Sequence, residues 1–180
     1  MVSIPNKLIL WFGEKHSGKT TSVANLVKIA HSEGFNVAGL LAPSIYNEGE
    51  MIGFDAVDLR NENRISLTRR KTGRFTFFTK GIEFGNAALN TTATKTADLV
   101  IVDEFGPLEL SGQVWRNNVD SLITVSDALI LLVVRQELTD EVRQTYIDFP
   151  CRNLAANEPG SIDKVIGMLR DCRQLQRETT

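Results

Sequence analysis

The sequence predicts an α/β fold, a three-layer sandwich in which a mainly parallel β-sheet lies between helices and carries a β-hairpin insertion. Three observations predict it. Four short apolar runs, at residues 8–12, 37–42, 99–102 and 128–134, show no polar alternation, as expected of strands covered on both faces. Residues with helical spacing lie between these runs. One stretch, residues 51–78, departs from that rhythm and alternates in short segments bounded by charged residues.

Taken in order, the run at 8–12 ends at Gly13 and is followed by Val23, Leu26, Val27 and Ala30, whose i, i+3, i+4, i+7 spacing puts one apolar stripe on a helix. After the second run, Val57 and Leu59, Ile65 and Leu67, and Phe75 and Phe77 read as hairpin strands, with 60–64 and 69–74 as their polar turns. Such an insertion serves either as a lid or substrate platform or as a sheet extension without a ligand, and the pattern favours neither. Farther on, Trp115, Val119 and Leu122 repeat the helical spacing. Ile162, Val165, Ile166 and Leu169 form a last helix, with Ser161 as its expected cap. Strands alternating with helices place ligands beyond the strands' carboxyl ends, where the motifs should gather.

A chain of 180 residues suffices for one domain, read here as 1–180 with 51–78 inserted. Lys and Arg number 20 against 22 Asp and Glu, so no global field draws in nucleic acid or an anionic membrane. Arg69, Arg70, Lys71 and Arg74 are the basic cluster, and a solvated hairpin turn accounts for them better than nucleic acid does. Two cysteines, Cys151 and Cys172, without metal-ligand spacing, read as packing residues. The apolar start lacks a basic flank and is broken by Gly13, and no other run is long enough for a membrane span, so a cytoplasmic protein is expected.

Directly after the first run stand Gly13, Glu14, Lys15, His16, Ser17, Gly18, Lys19 and Thr20, the pattern G-x-x-x-x-G-K-[ST] opening onto a helix. Its glycines permit backbone conformations closed to other residues, so successive N–H groups turn inward around a polyphosphate, and the helix N-terminus adds to the anion field. Lys19 would face the β and γ phosphates, the Thr20 hydroxyl is a hard oxygen ligand for Mg²⁺, and Thr21 is positioned for the α phosphate.

The run at 99–102 ends in Asp103 and Glu104, the form of a Walker B segment. Asp103 is expected to hold Mg²⁺, through water, because this ion keeps much of its hydration. Glu104 is the candidate general base that orients and deprotonates the attacking water. Hydrolysis of a nucleoside triphosphate is therefore the leading chemistry, with Glu104 and Lys19 as its catalytic groups. Arg116 and Arg135 follow elements expected near the site's rim, and either is a candidate to reach the γ phosphate.

With both motifs placed, the chain resembles the THEP1, or cancer-related, nucleoside-triphosphatase family. The most specific part is Asp103, Glu104, Phe105, Gly106, Pro107, Leu108, Glu109, Leu110, similar to that family's Asp-Glu-hydrophobic-Gly-x-hydrophobic-Glu-Leu segment; Thr21 after the phosphate loop also fits. Gly53, Phe54 and Asp55 look like its Gly-Phe element, and residues 81–89 take the place of its helix before the acidic pair. The resemblance implies a RecA-like P-loop fold and hydrolysis of ATP or GTP with Mg²⁺. The chain departs from the pattern at His16, where a third loop glycine is usual, at Pro107 for a common lysine, and at Asn157–Glu158 for an Asn-Arg pair.

Two rival functions remain open at this stage. One is a nucleotide or small-molecule kinase, in which 51–78 receives an acceptor and Glu104 serves its hydroxyl. The other is a nucleotide-dependent switch; a Ras-like one is disfavoured because no Asn-Lys-x-Asp element is present. Base preference and protein partners are not readable from the sequence.

Overall fold

The structure is a computed structural model that describes residues 7–178. Among these, nine strands form one sheet: β1 (Leu8–Gly13), β2 (Val37–Leu41), β3 (Ser44–Asn47), β4 (Glu50–Asp58), β5 (Arg64–Lys71), β6 (Arg74–Phe77), β7 (Leu99–Val102), β8 (Leu129–Arg135) and β9 (Cys151–Ala155). The helices are α1 (Lys19–Ser32), α2 (Thr79–Ala88), α3 (Pro107–Leu110), α4 (Arg116–Val125), α5 (Thr139–Thr145) and α6 (Ser161–Glu178). The strand order is β6-β5-β4-β2-β7-β8-β1-β9, and β3 pairs with β4 along the line that β2 begins. From β2 to β9 every pairing is parallel; β3, β4, β5 and β6 are antiparallel.

The period-two geometry of a strand explains why the apolar runs are unbroken. Ile9, Trp11, Leu99, Ile101, Leu129, Leu131 and Val133 point to one face, where Val23, Leu26 and Ala30 of α1 and Val165, Ile166 and Leu169 of α6 cover them. Leu8, Leu10, Val100, Val102, Ile130, Leu132 and Val134 point to the other, under Ala88 of α2, Val119 and Leu122 of α4 and Val142 of α5. Both faces are fully desolvated, which yields the three expected layers. Gly85 of α2 lets this packing close, since a Cβ there would stand 2.7 Å from Cζ3 of Trp115. The expected fold class holds.

Two local expectations are corrected. Residues 69–74 are not a turn: Arg69 to Lys71 continue β5, Arg74 begins β6, and Thr72–Gly73 alone reverses the chain, both at positive φ. The charged side chains are tolerated because this end of the sheet is exposed, and Arg69 is paired with Asp55 at 3.3 Å and with Ser66 Oγ at 2.9 Å. Ser161 does not cap α6. It is the helix's first residue, buried, and its hydroxyl donates to the Ala155 carbonyl at 2.8 Å, tying α6 to the end of β9.

Candidate nucleotide site

The phosphate loop leaves β1 at Gly13 and enters α1 at Lys19. Gly18, the residue before the helix, has φ 81°, a left-handed conformation that costs glycine nothing. His16 also lies at φ 61°, which explains why a glycine suits this position and why histidine, among the side chains that tolerate this region better, can replace it. A Cβ on Gly13 would stand 2.9 Å from Ser17 Oγ, so the turn closes tightly there. Ser17 Oγ is itself buried and has no hydrogen-bond partner.

Lys19 is largely buried, and its ammonium donates to the carbonyls of Gly13 at 3.1 Å and Glu14 at 2.6 Å. Burial lowers its pKa, while the nearby charges of Glu104 and Asp103 raise it. The two motifs, eighty positions apart in the chain, therefore meet around one ammonium. Arg135, the last residue of β8, sits opposite Gly13 in the sheet and also acts on Lys19.

Asp103 directly follows β7, fully buried. Its carboxylate accepts from the Ala42 and Glu104 amides at 3.0 Å each and from the Thr20 hydroxyl. Desolvation first, then repulsion by Glu104, pushes its pKa up to about 6 despite these bonds. Buried negative charge is thus left without full compensation next to a threonine hydroxyl, a set of hard oxygens that suits a small divalent cation.

Glu104 adopts φ 61°, a sparsely populated conformation for a non-glycine residue. The surrounding bonds enforce it: the Asp103 amide donates to Leu40 O at 3.0 Å, the Phe105 amide to Val133 O at 3.0 Å, and the Gly106 amide to Glu109 Oε2 at 2.9 Å. Phe105 is buried beside Tyr146, ring centroids 6.1 Å apart. The chain thus crosses from β7 toward β8 while Glu104 stays in the cavity wall. Pro107 begins α3, where a missing N–H costs nothing.

The cavity has a volume of about 620 Å³ and is lined by residues 15–21 of the loop, Glu104, Glu109 and Arg135 at one end. It then continues over Ala42 and Pro43 to Phe54, Phe75 and Phe77 of the antiparallel strands. Gly13 and Glu14 meet the site through their carbonyls on Lys19, and Thr21 is exposed at its rim. Arg116 does not join it: its guanidinium is held by Asp120 at 2.7 Å, by the carbonyls of Glu109 and Leu110, and over the Tyr146 ring. Asn157 and Glu158 are exposed outside the cavity, Glu158 bonded to Lys164 at 2.9 Å.

Sequence reasoning passed over Glu109 as a functional group. It is buried, and its pKa is pushed up to about 7, by desolvation above all. An acid between Leu108 and Leu110 was the available signal. The aromatic wall was visible as strand alternation but not as lining, because only the sheet brings it to the loop.

The NTPase family profile matches residues 9–151. The chain is 33% identical over 130 residues to Nucleoside-triphosphatase THEP1 of Methanopyrus kandleri, covering 69% of each chain. It is 30% identical over 141 residues to the protein of that name from Methanothermobacter thermautotrophicus, covering 76% of this chain and 80% of the relative. In fold it is similar to a human cancer-related nucleoside triphosphatase, TM-score 0.66 at 19% identity over 97% of this chain and 99% of that one. It is likewise similar to THEP1 from Aquifex aeolicus, TM-score 0.65 at 15% identity over 90% and 98%. With its acidic pair facing the glycine loop across β8 and its sequence matched over most of its length, the chain belongs to the THEP1 family of P-loop nucleoside-triphosphatases.

Proposed function

We infer that the protein binds a nucleoside triphosphate, ATP or GTP, with Mg²⁺ and hydrolyses it to the diphosphate and phosphate. The observation that carries this reading is one cavity lined by residues 15–21 of the loop and by Glu104, with the Asp103 carboxylate fully buried next to Glu104 and accepting a hydrogen bond from its amide. Amides of residues 13–19 and the start of α1 bind the phosphates, and Lys19 exchanges its carbonyl partners for phosphate oxygens, neutralising charge that builds on the β–γ bridge. Glu104 takes a proton from the attacking water. Thr20 and Asp103 would hold Mg²⁺, which supplies charge neutralisation on the phosphates. Arg135 stands where it can meet negative charge forming at the γ position.

The test is Mg²⁺-dependent phosphate release across a panel of nucleoside triphosphates. Lys19→Ala is expected to lose nucleotide binding, and Glu104→Gln to bind without turnover. Full turnover by Glu104→Gln would remove the glutamate from the chemistry.

A further inference from the structure

The cavity has two chemically different halves. Its loop end carries Lys19, Arg135, Glu104 and Glu109, while the antiparallel strands wall its other end with Tyr46, Met51, Phe54, Leu67, Phe75 and Phe77. Phe54 and Phe75 stack tilted, centroids 5.6 Å apart, and the Tyr46, Phe75 and Phe77 side chains stay 60%, 40% and 38% exposed. Exposed aromatics gathered on one wall of a cleft are a costly surface for water and a good one for a flat ring. The basic residues of this hairpin do not line the chamber, and Arg69 is tied to Asp55. The six residues named at the cavity's other end are uncharged, so that end suits an uncharged compound. Trp115 also lies in the wall, buried, with its indole N–H unpartnered.

Lys19, Glu104 and the three phenylalanines line one cavity, so a ring held among the phenylalanines shares it with the carboxylate that serves the attacking water.

We propose that the aromatic chamber is an acceptor subsite for a flat, uncharged ring compound bearing a hydroxyl, to which the γ-phosphoryl group is transferred when the subsite is filled. The acceptor oxygen forms a bond to the γ phosphorus and the bond from that phosphorus to the β–γ bridging oxygen breaks. The hydroxyl proton passes to Glu104, and the nucleoside diphosphate leaves with the bridging electron pair. This rests on the hydrolysis reading above, since nucleotide and base are shared.

The experiment incubates the protein with γ-labelled ATP, Mg²⁺ and, in turn, adenosine, thymidine or pyridylmethanol, and separates labelled organic phosphate from inorganic phosphate. At least one acceptor is expected to be labelled, and the double variant Phe75→Ser, Phe77→Ser to reduce that label at least tenfold while phosphate release to water changes less than twofold. Label in inorganic phosphate alone with every acceptor overturns the proposal, as does an organic product undiminished in the variant. Competitive inhibition by the ring compounds, with a raised KM for ATP in the variant, also overturns it, because the chamber would then hold the nucleotide's own base. Absence of phosphate release in all arms counts instead against the hydrolysis reading.

Discussion

The parallel and antiparallel halves of the sheet place their polar groups by opposite rules. In the parallel half, side chains on both faces of β2, β7, β8 and β1 are removed from water, β9 being the exposed edge, and charge gathers at the carboxyl ends: Asp103 fully buried, Lys19 nearly so, Glu104 in strained backbone. In the antiparallel half, β3 to β6, charged and aromatic side chains alternate on exposed strands and pair locally, as Arg69 and Arg64 do with Asp55. The difference teaches that burial concentrates chemistry. A carboxylate that costs folding free energy is tolerated where rigid strands hold it for a ligand, whereas the extension pairs its carboxylates with neighbouring arginines and supplies contact surface.

The sharpest way to break this comparison is to remove charge from the buried half. Glu104→Gln should lower kcat ~10²–10⁴-fold, the range of a lost general base, with nucleotide affinity retained in equilibrium titration. Arg135→Ala should lower kcat ~10-fold or more with little change in KM, since its charge is needed only as charge builds at the γ position. Arg116→Ala, its counterpart held away from the cavity, should leave turnover unchanged.

Stability gives the next effect. Glu109 has a folded pKa of about 7 against an ordinary 4.5, so the folded state holds the proton more tightly than the unfolded chain. Its contribution is complete below about 4.5 and is lost as pH rises to about 7. Glu109→Gln keeps an acceptor for the Gly106 amide and removes the charge. At pH 8 it should gain on the order of 2 kcal/mol in denaturant unfolding, a gain that fades toward pH 4. The smallest effect belongs to the extension: Phe77→Ser alone should cost about 1 kcal/mol, because 38% of that residue already meets water. A loss of several kcal/mol there would mean that the extension is core and the contrast is false.

What the sequence disclosed follows the same division. Unbroken apolar runs gave β1, β2, β7 and β8 within a residue or so, because two-sided burial leaves a signal in every residue. β9 was not foreseen: it is an edge strand whose Arg152 and Asn153 face water, so neither alternation nor an apolar run marks it. β3 exists by pairing with β4, a tertiary cause. The loop and acidic pair were legible because polyphosphate chemistry prescribes residue types at fixed spacing. Glu109 and the aromatic wall were not, since their roles arise only from what the sheet brings beside them.

Trp115 forms part of the cavity wall and of the α2 packing, while Trp11, the chain's other indole, is buried under α1 on the opposite face. The molecule therefore carries its own optical gauge. In a Trp11→Phe background, near-ultraviolet emission would come from one fluorophore seated between ligand and scaffold, letting nucleotide arrival and ring-compound arrival be timed separately in a stopped-flow trace without any attached dye.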